Sequence, residues 1–255
     1  MNRIARFVFV DILKNSFVII YAVILFLLSS SVLALEDNSS KGVLSMLNII
    51  LLIVPLVSII FSTIYIYNSA EFVELLLSQP VKRTVIWRSL FYGLSLALSL
   101  AFVLGAGVSL ILFVGDLLGL FLFFIGILLT LIFTSFALLC AVWAKDKAKG
   151  IGLSILVWLF FSLFYDGLLV FGMFQFSEYP LEKLMMVFTL LNPIDLSRIL
   201  ILLQLDVSAL LGYTSAVFKE FLGSQLGIII SFVALVLWFV IPYFYSLYKF
   251  NRKDL

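Results

Sequence analysis

The sequence predicts an all-α membrane protein with six transmembrane helices. Three observations lead to this fold class: the chain of 255 residues is 64% hydrophobic and 12% charged with a mean hydropathy of +1.27, its charge-free runs are long, and its basic residues cluster between alternate runs. Soluble domains average about 25% charged residues. We expect a single membrane domain over 1–255, with an N-terminal interfacial helix, a helix in the first cytoplasmic loop, and short outer helices between the fifth and sixth spans.

The spans follow from the positions of the charges. A membrane-spanning helix needs about 20 mostly apolar residues. Five runs of that length carry no charge, and a sixth is interrupted only by Asp166. The stretch 89–144 would extend about 84 Å as one helix, so it must turn back, most naturally at Gly115 and Asp116. The predicted spans are 16–35, 43–70, 89–115, 117–144, 150–172 and 221–248.

The distribution of Lys and Arg predicts the orientation. If residue 1 lies in the cytoplasm, twelve basic residues fall inside and four fall outside, the latter being Lys41, Lys183, Arg198 and Lys219. Because cytoplasmic loops carry the excess of basic residues, we expect both termini in the cytoplasm.

The first fourteen residues have the pattern of a short amphipathic helix. Its apolar face is predicted to hold Ile4, Phe7, Val8 and Ile12. The basic residues Arg3, Arg6 and Lys14 fall elsewhere, which is typical of a helix lying at the membrane surface among anionic lipids. The alternative is a frayed tail before the first span.

The first inner loop, 71–88, combines acidic and basic residues around a proline. Glu71 and Glu74 share one face of a predicted helix, Pro80 ends it, and Lys82 and Arg83 follow. One interpretation is a plain connector held inside by its charges. The other is a contact surface for a partner.

The outer segment, 173–224, is long but not very polar. Asn192 and Pro193 form a helix start with Asp195 in the first turn. Asp206 could cap a second short helix, and Thr214 or Ser215 a third. Helices this short do not span a membrane and fit a cap over the outer mouth of the bundle or a docking surface.

Two features inside the predicted spans stand out. Asp166 is the intramembrane polar candidate, because buried carboxylates in membranes are costly; the alternative is a solvated carboxylate at the outer interface. Small residues recur at every fourth position in the third span and predict a helix–helix or dimer seam, with a substrate path as the alternative. They are Gly93, Ala97, Ala101 and Gly105.

Several function classes are excluded by what the composition lacks. With no His and one Cys, the chain cannot build a disulfide, a zinc site or a Cys/His nucleophile pair, and a net charge of +2 does not favour nucleic acid. The sequence has neither a pair of carboxylates nor a nucleophile with a base, either of which would indicate an enzyme. There is no phosphate-binding loop, and too little intramembrane charge to use an ion gradient. Energy for any transport is therefore expected from a partner.

The chain resembles the permeases of the ABC-2 family. The resemblance rests on the stretch 74–83 after the second span, on 250–255, on the length of the chain and on its six predicted helices. It implies a separate cytoplasmic ABC ATPase subunit that binds ATP and Mg, with no cofactor on this chain. It also implies an ATPase-coupling surface made by Glu71, Glu74, Ser78, Gln79, Pro80, Lys82 and Arg83.

Within that family the chain is similar to the NosY-type permeases of nitrous-oxide-reductase maturation. The similar stretches are 156–158, 165–166, 192–200 and 206–214. This likeness implies a permease homodimer in a bacterial inner membrane with a cytoplasmic ABC ATPase dimer. It also implies a periplasmic β-helical copper-handling partner and assembly of the copper site of nitrous oxide reductase. The alternatives are an ABC-2 exporter of a lipid, peptide or drug, and a membrane anchor or mechanical transmitter that passes no cargo.

Overall fold

The computed structural model describes residues 3–36, 39–144, 146–175, 182–205 and 224–252. All regular elements in these ranges are helices. The predicted caps at Asp206, Thr214 and Ser215 lie outside the described residues. The helices are α1 (Arg3–Leu13), α2 (Ser16–Leu35), α3 (Ser39–Asn68), α4 (Ala70–Leu77), α5 (Arg83–Phe102), α6 (Val108–Phe113), α7 (Leu117–Trp143), α8 (Lys147–Leu159), α9 (Tyr165–Gln175), α10 (Glu182–Leu190), α11 (Pro193–Gln204) and α12 (Gln225–Asn251).

Six helical stretches in the described part of the chain are long and apolar enough to cross a membrane, as the sequence predicts. We number them as the first to sixth spans. The third span joins α5 to α6 through a π turn at Val103–Gly107, and the fifth joins α8 to α9 through a π turn at Phe160–Phe164. The spans are Ser16–Leu35, Lys41–Asn68, Arg83–Phe113, Leu117–Trp143, Lys147–Gln175 and Leu226–Asn251.

Helix α7 lies at the centre of the bundle. It packs most extensively against α3 and α12, and it also contacts α5, α8 and α11. Its residues are apolar on every side, which is the pattern of a helix enclosed by others. One close approach depends on Gly126, where an added Cβ would overlap the Phe102 ring of α5. The fully buried Phe102 therefore seats directly on the backbone of α7.

Helix α1 packs along α5. Its buried residues are Ala5, Val8 and Ile12. Of the predicted apolar face, Val8 and Ile12 are buried, Ile4 is half-buried, and Phe7 is 56% exposed. The contact with α5 is a close helix–helix seam, in which the small Ala5 is also buried.

The turn between the third and fourth spans lies where the charge pattern predicts it. Gly115 has a φ of +60°, a conformation that glycine adopts without steric cost. Asp116 then caps α7, and its carboxylate accepts a hydrogen bond from the Gly119 N–H at 3.2 Å.

The bundle has two ends with different chemistry. The basic end is where α4, the start of α5, the start of α8 and the last turns of α12 meet, and it carries Lys82, Arg83, Lys147 and Lys249. The distal end carries Asp116, the end of the fifth span, and α10 and α11. Two candidate functional sites lie at these opposite ends.

Candidate functional site

The first candidate site is the α4 loop, which we define as residues 70–83 at the basic end. Helix α4 presents one face outward, with Leu75 66% exposed, while Val73 on its other face is buried. The sequence-predicted residues of this loop are exposed except Arg83, which is half-buried. The exposed ones are Glu71, Glu74, Ser78, Gln79, Pro80 and Lys82.

Several contacts hold α4 in place. Its Phe72 ring lies 5.2 Å from the Phe7 ring of α1, centroid to centroid. The helix ends at Leu77, and the Ser78 hydroxyl donates a hydrogen bond to the Leu75 carbonyl at 2.8 Å. Pro80 follows in the turn and cannot continue a helix without losing a hydrogen bond. The loop is therefore a short helix braced by α1, with a sharp turn after it.

A cavity of about 100 Å³ lies behind α4. Its walls come from α3, α4, α5, α7 and α12, and include Val73, Trp87 and Phe250. Glu74 also borders the cavity but is exposed, so it remains accessible from the outward side of α4. The Trp87 indole N–H donates to the Ser246 hydroxyl at 3.1 Å, and its ring stacks on Phe250 with centroids 4.2 Å apart. A displacement of α4 would therefore meet the start of α5 and the end of α12 at once.

The second candidate site is the distal charge cluster, which we define as Asp166, Asp195, Arg198 and Asn192. One guanidinium nitrogen of Arg198, Nη1, donates to Asp166 Oδ2 and to Asp195 Oδ1, both at 3.0 Å. The Asn192 amide donates to the other Asp195 oxygen at 2.6 Å. The cluster thus joins the fifth span to α11.

The π turn of the fifth span contributes the backbone part of this site. A π turn displaces carbonyls from their regular partners in a helix. Here the Phe161 carbonyl accepts a hydrogen bond from the Asn192 amide at 2.9 Å. Asn192 also caps α11, because its side-chain oxygen accepts from the Ile194 N–H at 3.0 Å. The predicted helix start at Asn192 and Pro193 is present, and Pro193 occupies the first turn.

Burial differs among the charged groups. The side chains of Asp166 and Arg198 are 36% and 35% exposed, whereas that of Asp195 is 9% exposed. Burial raises the pKa of Asp195 above its ordinary value, and the neighbouring Asp166 carboxylate raises it further, while Arg198 and Asn192 act in the opposite direction. Asp166 itself is half-buried and paired with Arg198.

Sequence reasoning named Asp166 and missed its two charged partners as a site. Asp195 and Arg198 are three residues apart on α11, a spacing that places them on one helix face. That signal was available locally. The connection to Asp166 was not, because it depends on how α11 packs against a span that lies 32 residues away along the chain.

The small-residue stripe lies in a seam within the chain. An added Cβ at Gly93 would lie 2.7 Å from the Val8 Cβ of α1, and one at Gly105 would lie 2.8 Å from the Leu25 Cβ of α2. Ala97 and Ala101 between them are buried. The structure thus places the chain's own α1 and α2 against the two glycines of this stripe.

The described ranges bring together no group of three Asp, Glu or Cys side chains that could hold a metal ion. The candidate sites that they contain are the α4 loop at one end of the helix bundle and the distal charge cluster at the other. A family model, described as ABC-2 family transporter protein, matches residues 4–255. The chain belongs to the ABC-2 transporter family. No curated protein matches it.

Family membership and the six spans have direct consequences. The chain is a multi-pass membrane protein, and proteins of the ABC-2 family are generally membrane subunits without catalytic activity of their own. Membership also implies an ABC ATPase as the partner that supplies energy.

Proposed function

We propose that this chain is a permease subunit whose α4 loop docks the ATPase partner. The observation that carries the proposal is the two-sided environment of α4. Its outward face offers Glu71, Glu74 and the apolar Leu75, while Val73 on its other face is buried in the bundle. An apolar side chain flanked by charges is suited to a partner's groove, since apolar anchors supply affinity and charges supply register.

The proposed mechanism passes movement from α4 into the spans. ATP binding and hydrolysis in the partner would displace α4, and the braced contact of Phe72 with Phe7 moves α1 with it. Behind α4, Trp87 and Phe250 link the start of the third span to the end of the sixth. Closely packed side chains of this kind transmit displacements, since protein interiors have low compressibility.

We propose further that two copies of the chain pair through the fifth span. In its most apolar window, 11% of the residues are buried within the chain, against 28–50% in the other five spans. Its outward face is rich in large side chains and bounds a shallow apolar cavity of about 370 Å³. That cavity is lined by Phe136, Leu156, Val157, Phe160, Phe161 and Phe164.

The finer proposal is a role in maturing the copper site of nitrous oxide reductase. Its support is the likeness to NosY-type permeases, in particular over 192–200. In this proposal the protein sits in a bacterial inner membrane with both termini in the cytoplasm. The distal end then faces a periplasmic β-helical copper-handling protein, and Val187, Phe188 and Leu191 are exposed there to meet it.

A second candidate, a mechanical transmitter that passes no cargo, is favoured by the distal charge cluster. Arg198 ties α11 to the fifth span through Asp166, so movement of that span would carry α11 with it. Transport assays on sealed vesicles with the ATPase present distinguish the two, because only an exporter accumulates cargo in the vesicles.

Co-purification with charge-reversed variants tests the docking proposal. The variant Glu74→Arg reverses a charge on the outward face of α4, and we expect at least a tenfold loss of ATPase recovered with the tagged chain. The matched control is Glu36→Arg, an exposed carboxylate at the other end of the bundle, which should leave recovery unchanged. Equal recovery from both variants would show that the ATPase does not dock on α4.

A further inference from the structure

The distal charge cluster contains two acidic side chains and one basic side chain, and all three are partly or largely buried. Arg198 supplies one positive charge, and Asp166 and Asp195 supply two carboxyl groups that share the same guanidinium nitrogen at 3.0 Å. With both carboxyl groups ionised, the cluster has a net charge of −1. Two carboxylates that share a site do not both ionise easily, because like charges oppose each other at short range.

Among the side chains that the structure describes, no second cation acts on Asp195. The ionisable groups that face Asp195 are Asp166 and Tyr165 on the fifth span and Arg198 on α11 itself. Tyr165 donates its hydroxyl to the Phe188 carbonyl at 2.5 Å and brings no positive charge.

The other helices packed against α11 are α3, α7, α10 and α12. On α7 the single ionisable residue is Cys140, and on α12 the ionisable residues lie from Tyr243 onward, toward the basic end. On α3 the cation is Lys41, which is exposed.

We propose that Asp166, Asp195 and Arg198 form a proton-controlled latch between the fifth span and α11. A single proton on the two carboxyl groups makes the cluster neutral and leaves Arg198 fully paired, so α11 is held to the span. Loss of the proton leaves two carboxylates competing for one guanidinium, and the tie weakens.

The direction of the pH effect follows from burial. Because the pKa of Asp195 is raised in the folded protein, this residue keeps its proton at pH values where a free aspartate, with a pKa near 4, has lost it. The stabilising effect of the shared proton is fully present at pH values below the pKa of a free aspartate. It declines as the pH rises through the raised value, so the latch is tight in acid and loose in alkali.

Asn192 extends the effect to the backbone. Its amide bonds both Asp195 and the Phe161 carbonyl in the π turn. A change in the charge on Asp195 therefore acts on the π turn as well as on the ion pair. Under the orientation proposed above the cluster faces the periplasm, where the latch would respond to the pH outside the cell.

Hydrogen–deuterium exchange of α11 tests the latch. The protein is held in nanodiscs of uncharged lipid from pH 5 to pH 9, and exchange rates are corrected for the intrinsic effect of pH. In the unsubstituted protein we expect the protection of the peptide covering residues 193–204 to fall at least tenfold over this range. In Asp195→Asn, which imitates the protonated acid, protection should stay high and vary less than twofold.

Two further variants make the result decisive. Asp166→Asn leaves one carboxylate for Arg198, so the pH dependence should also vanish, with protection lower than in the unsubstituted protein at pH 5. Glu36→Gln removes an exposed carboxylate outside the cluster and should leave the pH profile unchanged. A protection profile that does not vary with pH in the unsubstituted protein, or one that persists in both Asp195→Asn and Asp166→Asn, would overturn the proposal.

Discussion

At the scale of single residues, the Asn192 side chain makes more hydrogen bonds than a helix cap alone requires. Its oxygen caps α11, while its amide bonds the Phe161 carbonyl and Asp195. All three groups are buried or partly buried, so removal of the side chain would leave polar atoms without partners. Buried polar groups without partners are costly, at about 1–3 kcal/mol each.

We predict that Asn192→Ala lowers the free energy of unfolding by about 2–4 kcal/mol, since it removes a cap and leaves buried acceptors unpaired. The matched control is Asn15→Ala, because Asn15 caps α2 at an exposed position with a 2.9 Å bond to the Phe17 N–H. That variant should lose only about 1 kcal/mol. Reversible unfolding in mixed micelles measures both. Equal losses would mean that the bonds of Asn192 to the fifth span contribute nothing.

Local chemistry explains which residues could be predicted. The helix start at Asn192 and Pro193 could be predicted because its signal lies in neighbouring residues of the sequence. The turn at Gly115 could be predicted for the same reason. The pairing of Asp166 with Arg198 could not, because it joins two segments through tertiary packing. A lone carboxylate in an apolar run signals that a partner is needed, but it does not say which residue supplies it.

At the scale of helices, the contact of α1 with α5 depends on the absence of a side chain. The backbone of α5 at Gly93 meets Val8 and the Phe9 N–H of α1. The seam therefore has room for a hydrogen atom and not for a methyl group. This close fit joins the amphipathic helix to the third span.

We predict that Gly93→Ala destabilises the protein by about 1–3 kcal/mol, because the added methyl group forces α1 away from α5. The control is Gly152→Ala on α8, where an added Cβ meets nothing within 4 Å. There the change should be neutral or stabilising by up to about 1 kcal/mol, since alanine favours helix over glycine. Thermal unfolding in detergent compares the two, and a stable Gly93→Ala would contradict the seam.

Some features of the helices could be predicted from the sequence pattern and others could not. The six spans could be predicted because charges are excluded from the hydrocarbon region, so their positions mark the boundaries. The π turns at Val103–Gly107 and Phe160–Phe164 could not. A π turn depends on the helices packed beside it, and here Gly105 meets α2 while Phe161 meets Asn192.

At the scale of the whole molecule, the two candidate sites lie at opposite ends of one bundle. The α4 loop packs against α5, whose Trp87 stacks on Phe250 of α12, and α12 packs along the central α7. Helix α11 packs against α7 and α12 at the distal end. The central helix and the sixth span are therefore in contact with elements of both sites, as the proposed transmission of movement requires.

We predict that the fifth span forms the contact between two copies. With Cys140 replaced by Ser, Leu163→Cys should form a disulfide-linked dimer in native membranes under mild oxidation. The matched control is Ile229→Cys on the sixth span, which is similarly exposed, at 59% against 63% for Leu163. It should remain monomeric on non-reducing gels. Dimers from Ile229→Cys alone would assign the interface to the sixth span.

The central claim is that this chain works as the membrane subunit of an ABC transporter. Purification of the tagged chain from its native membrane in mild detergent, with mass spectrometry of the companions, tests it most directly. The account predicts an ABC ATPase present in one copy per permease chain, with a β-helical secreted protein alongside if the copper-site proposal holds. A permease recovered intact and without any ATPase would contradict the account.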